Sequence, residues 1–200
     1  MDGETNTVIA GKYGVEENSN EQLRLFFKPL MDRGLDPISC TTDGNPQVIR
    51  TIKALWPGIM AQRCLVHIQR QGLSWCRRSP KTDYARDLRA LFNIVTYINT
   101  EAERDSFIEE FICWEKMYGN AIAKQPEKGE VFSDIKRARS MLLKALPDMF
   151  HYIDDHNIPR STNGIEGYFS RLKRHYRQHR GLTPKKRENY FAWYFHFKPK

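Results

Sequence analysis

Every strand-like segment of this 200-residue chain falls before His67. From there to His156 the apolar residues recur only at helical spacing, so any sheet is small and comes from the first third of the chain. Three segments supply it. Residues 7–15 (TVIAGKYGV) follow the turn-like DGETN and read as a strand leaving a hairpin at Asp2-Gly3. Residues 38–42 form a short strand running into Asp43-Gly44, and residues 59–66 (IMAQRCLV) form a third. Two helices lie between them. Ser19 and Gln22 have capping-box spacing ahead of Leu23, Phe26, Phe27, Leu30 and Met31, and Gly34 stops that run. Pro46 opens the second helix, whose apolar face is Val48, Ile49, Ile52, Leu55 and Trp56 and whose end is Pro57-Gly58. Strand, helix, strand, helix, strand is the order of an α/β sheet with crossover connections, the later strands pairing in parallel.

The remainder is helical. Residues 83–97, 100–124 and 132–146 show 3.6-residue periodicity, with a break around residues 125–129, and two more helices are expected at about 163–178 and 184–195. The pattern divides the chain into an α/β part at 1–67, an all-helical block at 68–160, and basic helices at 161–200. Charge divides the chain in the same place. Residues 157–200 carry eleven Lys and Arg against only Glu166 and Glu188, so the whole net charge of +8 sits there while the rest is nearly neutral. A field of that density suits a polyanion backbone. A solvated basic tail is the plainer alternative. No run approaches the roughly 18 apolar residues of a membrane span, and MDGETNTV lacks the basic and apolar regions of a signal peptide. Cys40, Cys64, Cys76 and Cys113 are too irregularly spaced for a disulfide framework. The expectation is a soluble intracellular protein with reduced thiols.

Within the basic segment, Glu166 heads a helix that is otherwise positive. Asn163 as N-cap with Glu166 three residues on has capping-box spacing, which alone would explain the acid. Ile165, Phe169, Leu172 and Tyr176 form the stripe expected to pack inward, while Glu166 shares a face with Ser170, Lys173 and Arg177, and Arg171, Arg174, His175 and Arg180 widen the basic surface. Asp43, in TTDGNP, stands where a strand ends, the edge at which open α/β sheets gather ligands. Ordinary turn chemistry accounts for it too. Cys64 and His67 make a CxxH, but Cys76 with His151, His156 or His175 keeps no finger-like spacing, so zinc is not expected. Packing for Cys64 and hydrogen bonding for His67 are the simpler roles.

Together these residues resemble the transposases of the mutator (MULE-like) superfamily: TTDG ending a strand, CLVH about twenty residues on, a helical block, then TNGIEGYFSRLKR opening a basic helix. The resemblance covers nearly the whole chain. It implies an RNase H-like fold with a helical insertion, and an Asp-Asp-Glu (DDE) triad holding two Mg²⁺ or Mn²⁺ ions. By it, Asp43 is the second acid, Glu166 the third, and Cys64 with His67 the C/D-x-x-H signature. It further implies DNA cleavage and strand transfer at the ends of a transposable element, with DNA and copies of the same chain as partners and Arg171, Lys173, Arg174 and Arg177 on backbone phosphates.

The first acid is where the chain departs from that pattern. Only one strand precedes the first helix, and Asp2-Gly3 reads as a hairpin turn. The reading is a partial RNase H-like core lacking its first strand and first acid, so that this chain by itself neither cleaves nor joins DNA. A non-catalytic DNA-binding or assembly remnant is the alternative from another class, and another RNase H-like nuclease is a third.

Overall fold

The computed structural model describes residues 1–125, 132–179 and 181–198. In chain order its elements are α1 (Asn20–Met31), β1 (Ser39–Thr42), α2 (Pro46–Leu55), β2 (Met60–Arg63), α3 (Leu65–Cys76), α4 (Asp83–Ile94), α5 (Glu101–Ala123), α6 (Phe132–Ala145), α7 (His151–Asp154), α8 (Asn163–Tyr176) and α9 (Pro184–Phe197). Short 3₁₀ turns follow α6 and α8. The chain divides into two compact units: Met1–Ala61 with Asn157–Lys200, and Gln62–His156. The helix break expected around residues 125–129 falls almost wholly outside the described residues, as does Arg180.

The first unit mixes helix and sheet. β1 and β2 pair as a two-stranded parallel sheet, with Met60 N–H donating to Ile38 C=O at 3.0 Å. The helices start where their caps dictate. Asn45 Oδ1 accepts from Gln47 N at 2.9 Å and Val48 N at 3.4 Å, and Pro46, which has no N–H to satisfy, takes the first helical position of α2. Ser19 Oγ accepts from Gln22 N at 3.3 Å to start α1. Gln22, however, reaches past Ser19 to accept from Glu16 N at 2.8 Å, so only half of the anticipated capping box forms. Ile52, Trp56 and Ile59 make a buried cluster against Phe27, Met31 and Leu35. Phe27 meets Trp56 edge to face at 5.5 Å, and the indole N–H donates to Leu35 C=O at 3.3 Å, so the ring is buried without an unmet donor.

The strand expected over residues 7–15 does not form. Its turn does: Asp2 Oδ1 accepts from Thr5 N and Thr5 Oγ1, both at 2.6 Å, and Asp2 N donates to Thr7 C=O at 2.8 Å. Beyond the turn the chain has side-chain anchors and no strand neighbour. Val8 is buried, Gly11 lies against the Phe195 ring, and Tyr13 stacks on Phe191 at 4.6 Å. A β-rich composition makes a strand only when a neighbour completes the ladder. The third expected strand is shorter than its apolar run. β2 stops at Arg63, and Leu65 and Val66 already belong to α3.

The second unit is helical: α3 lies against α4 and α6, and α5 joins both α4 and α6. Gly72 brings α3 close to α4, where a Cβ would overlap the Phe92 ring. Trp114 Nε1 donates to Tyr84 C=O at 2.9 Å, tying α5 to α4. Arg139 of α6 grips the Glu115 carboxylate of α5 with Nε, at 2.8 Å to Oε2, and with a terminal guanidinium nitrogen.

Candidate functional site

Asp43 immediately follows β1 and is exposed. The local sequence shapes its turn: Asp43 Oδ1 accepts from Asn45 N at 3.1 Å, Gly44 N donates to Thr42 Oγ1 at 3.1 Å, and Gly44 takes φ +102°, which only glycine adopts without strain. One carboxylate oxygen thus braces the loop into α2.

Glu166 sits in the first turn of α8 and is half-buried. The helix begins one residue earlier than its spacing suggested, with Thr162 as N-cap and Asn163 as the first helical residue. Glu166 is therefore a position too deep for a capping box, and Thr162 makes no side-chain cap bond. Its hydroxyl instead donates to Glu166 Oε1 at 2.9 Å. The cap explanation for this acid falls. The contact orients the carboxylate, and the N-terminal end of the helix favours its charge. Thr162 was missed in the sequence, although a hydroxyl four residues before a carboxylate on one helix face is a readable signal.

Both acids belong to the first unit, where Thr41 Oγ1 donates to Pro159 C=O and so ties the end of β1 to the segment leading into α8. Among the described residues, no cluster of three Asp, Glu, His or Cys ligand atoms includes Asp43. Asp2 is committed elsewhere. The Thr5 hydroxyl, then the Thr5 N–H, hold its carboxyl below the usual carboxylate range as part of the turn.

The buried stripe of α8 is rotated by about one position from the expected one. Tyr168 and Leu172 are buried while Phe169 is 40% exposed. The cause is α9: Tyr168 stacks on Phe195 at 6.2 Å and meets Tyr194 edge to face at 5.8 Å, which turns this side of the helix inward. Arg171, Lys173, Arg174 and Arg177 are all exposed. Arg171 also lies over the Tyr168 ring at 5.9 Å, a cation–π contact that leaves a guanidinium edge outward.

Cys64 and His67 lie at the start of α3, in the second unit. Cys64 is its fully buried N-cap, giving no side-chain cap bond, and His67 is half-buried one turn on. Their Sγ and ring nitrogen come within 4.8 Å, two of the four donors that a structural zinc site takes.

A family model described as Transposase, Mutator family, matches residues 1–188. No curated protein and no solved structure matches the chain.

Proposed function

The chain belongs to the Mutator family of transposases, and from that premise we propose that it is the part of an RNase H-like catalytic core in which Asp43 and Glu166 hold a divalent ion and α8 holds DNA. In this reading residues 68–160 are the helical insertion, and Cys64 and His67 are the family signature at the start of α3. The parent reaction is cleavage at the ends of a transposable element followed by strand transfer, carried out by copies of the chain assembled on DNA inside the cell. One observation supports it most: α8 presents a carboxylate oriented by Thr162 in its first turn, with the exposed cations Arg171, Lys173 and Arg174 beyond it and Arg177 at its C-cap.

The donor chemistry fits one hard cation. Mg²⁺ is commonly held by one or two carboxylates with water completing its shell, and Asp43 and Glu166 are two such donors. They do not supply a two-ion centre. When bound, the ion would supply Lewis-acid activation of a water or 3′-hydroxyl. The residues do the rest: Thr162 holds Glu166 in one orientation, Asn45 and Gly44 hold Asp43 at the end of β1, and Arg171, Lys173, Arg174 and Arg177 neutralise phosphates. DNA binding without chemistry is the second reading, favoured by the absence of Asp43 from any ligand cluster among the described residues.

Mn²⁺ binding followed by electron paramagnetic resonance tests the metal assignment. The purified chain should bind Mn²⁺ saturably, Mg²⁺ should displace it, and Asp43→Asn and Glu166→Gln should each weaken it more than about tenfold, since losing even a group that hydrogen-bonds a ligand costs about 10- to 100-fold. Equal Mn²⁺ affinity in all three proteins would leave only the second reading.

A further inference from the structure

Helix α9 carries aromatic residues on both sides, and packing explains only one. Its inner side is Phe191, buried, with Tyr190, Tyr194 and Phe195 set against α8 and Tyr13. On the outer side Lys186, Asn189, Trp193 and Phe197 recur at i, i+3, i+7 and i+11, one face of a helix, and all four are exposed. Trp193 is 61% exposed and Phe197 69%. Their rings are already stacked, centroids 5.3 Å apart and 6° from parallel, and His196 stands edge-on to both.

We propose that this outer stripe is a stacking platform for unpaired bases of a DNA strand, with Lys185 and Lys186 on its phosphates. Charge selects the occupant. The stripe lies in the segment where eleven Lys and Arg face two carboxylates, so the ligand is an anion that also offers flat apolar faces. Nucleic acid is both, and only unpaired bases expose those faces, since a duplex shows its base edges in the grooves. The spacing agrees: seven residues from Lys186 to Trp193 span about 10 Å, roughly three nucleotide steps of 3.4 Å. An aromatic pair ordered beforehand loses little freedom when a base is added. Trp193 and Phe197 lie beyond residues 1–188, which the family model matches. The inference rests on the DNA-binding part of the proposed function and is independent of the metal.

The test measures the affinity of the 200-residue chain for a fluorescent oligothymidine and for a blunt duplex at one fixed salt concentration. Trp193→Ala with Phe197→Ala should weaken oligothymidine binding by about 5- to 140-fold, the effect of one stacked base, and leave duplex affinity unchanged. Trp193→Phe should restore most of the loss, and binding of oligothymidine should quench tryptophan fluorescence in the unmodified chain only. Unchanged oligothymidine affinity in the double variant, with duplex binding intact, overturns the platform alone. Failure of the unmodified chain to bind either DNA removes the DNA-binding reading with it. A shift in sedimentation from dimer to monomer in the double variant, with DNA affinity unaltered, assigns the stripe to a second copy of the chain instead.

Discussion

Gly72 shows how a single atom sets a helix contact. It is buried in α3 against Phe92, itself without solvent exposure. Replacing glycine by alanine inside a helix normally stabilises by about 1 kcal/mol. Forcing a methyl into a filled core costs about 1–3 kcal/mol, and here the new Cβ would overlap the Phe92 ring. With the new Cβ set against a ring that has no room to move, overpacking outweighs propensity, so Gly72→Ala should lower stability by up to roughly 2 kcal/mol. A urea midpoint that rises in the variant would contradict the packing. Residue-scale chemistry at the proposed site was only partly legible in the sequence. Asp43 and Glu166 stand out in the sequence as candidate ligands, whereas the helix start that decides whether Thr162 caps or contacts Glu166 does not. A one-residue difference in where α8 starts moved the acid out of the capping box and gave it the Thr162 hydroxyl, a distinction that spacing does not resolve.

Among elements, α5 is the one whose start the sequence specifies most fully. Thr100 Oγ1 accepts from Glu103 N at 3.3 Å, and Glu103 Oε2 accepts from Asn99 N at 2.7 Å and Thr100 N at 3.1 Å. The Asn99 bond first, then those from Thr100, hold the Glu103 carboxyl below its ordinary 4.5. A carboxyl depressed by folding contributes stability that is fully present above its unfolded pKa and is lost as pH falls through the folded one. The stability gap between the natural chain and Glu103→Gln should therefore be constant near neutrality and close on acidification below 4.5. Melting curves recorded across that interval measure it, and a gap that widens toward acid would refute the capping role. Helical periodicity was legible because it is local, whereas a cap depends on the residue at which the helix starts, and the boxes read at Ser19 and Asn163 formed by half and not at all. A strand over residues 7–15 needs a ladder partner that composition does not reveal, and α3 starts ahead of the helical block expected from His67 because Leu65 and Val66 extend the apolar run of β2 without a break.

At the scale of the whole molecule, the placement of charge decides more than its total. A net +8 spread evenly would give weak, diffuse attraction to any polyanion. Concentrated in residues 157–200 and exposed along α8, it makes a surface on which several phosphates can be neutralised at once. No helix among the described residues is long and apolar enough to cross a membrane, and the family acts on DNA. Each phosphate contact releases counterions and contributes about 0.9 to the slope of log affinity against log salt. Lys173→Ala, Arg174→Ala and Arg177→Ala combined should therefore flatten that slope by up to ~2.7 on duplex DNA and weaken binding equally across sequences. Lys116→Ala, an exposed cation on α5, is the control and should leave the slope alone. The magnitude separates a defined interface from general attraction: if the triple variant changed the slope no more per charge than the control, α8 would be a solvated basic face, and the concentration of charge would carry no site.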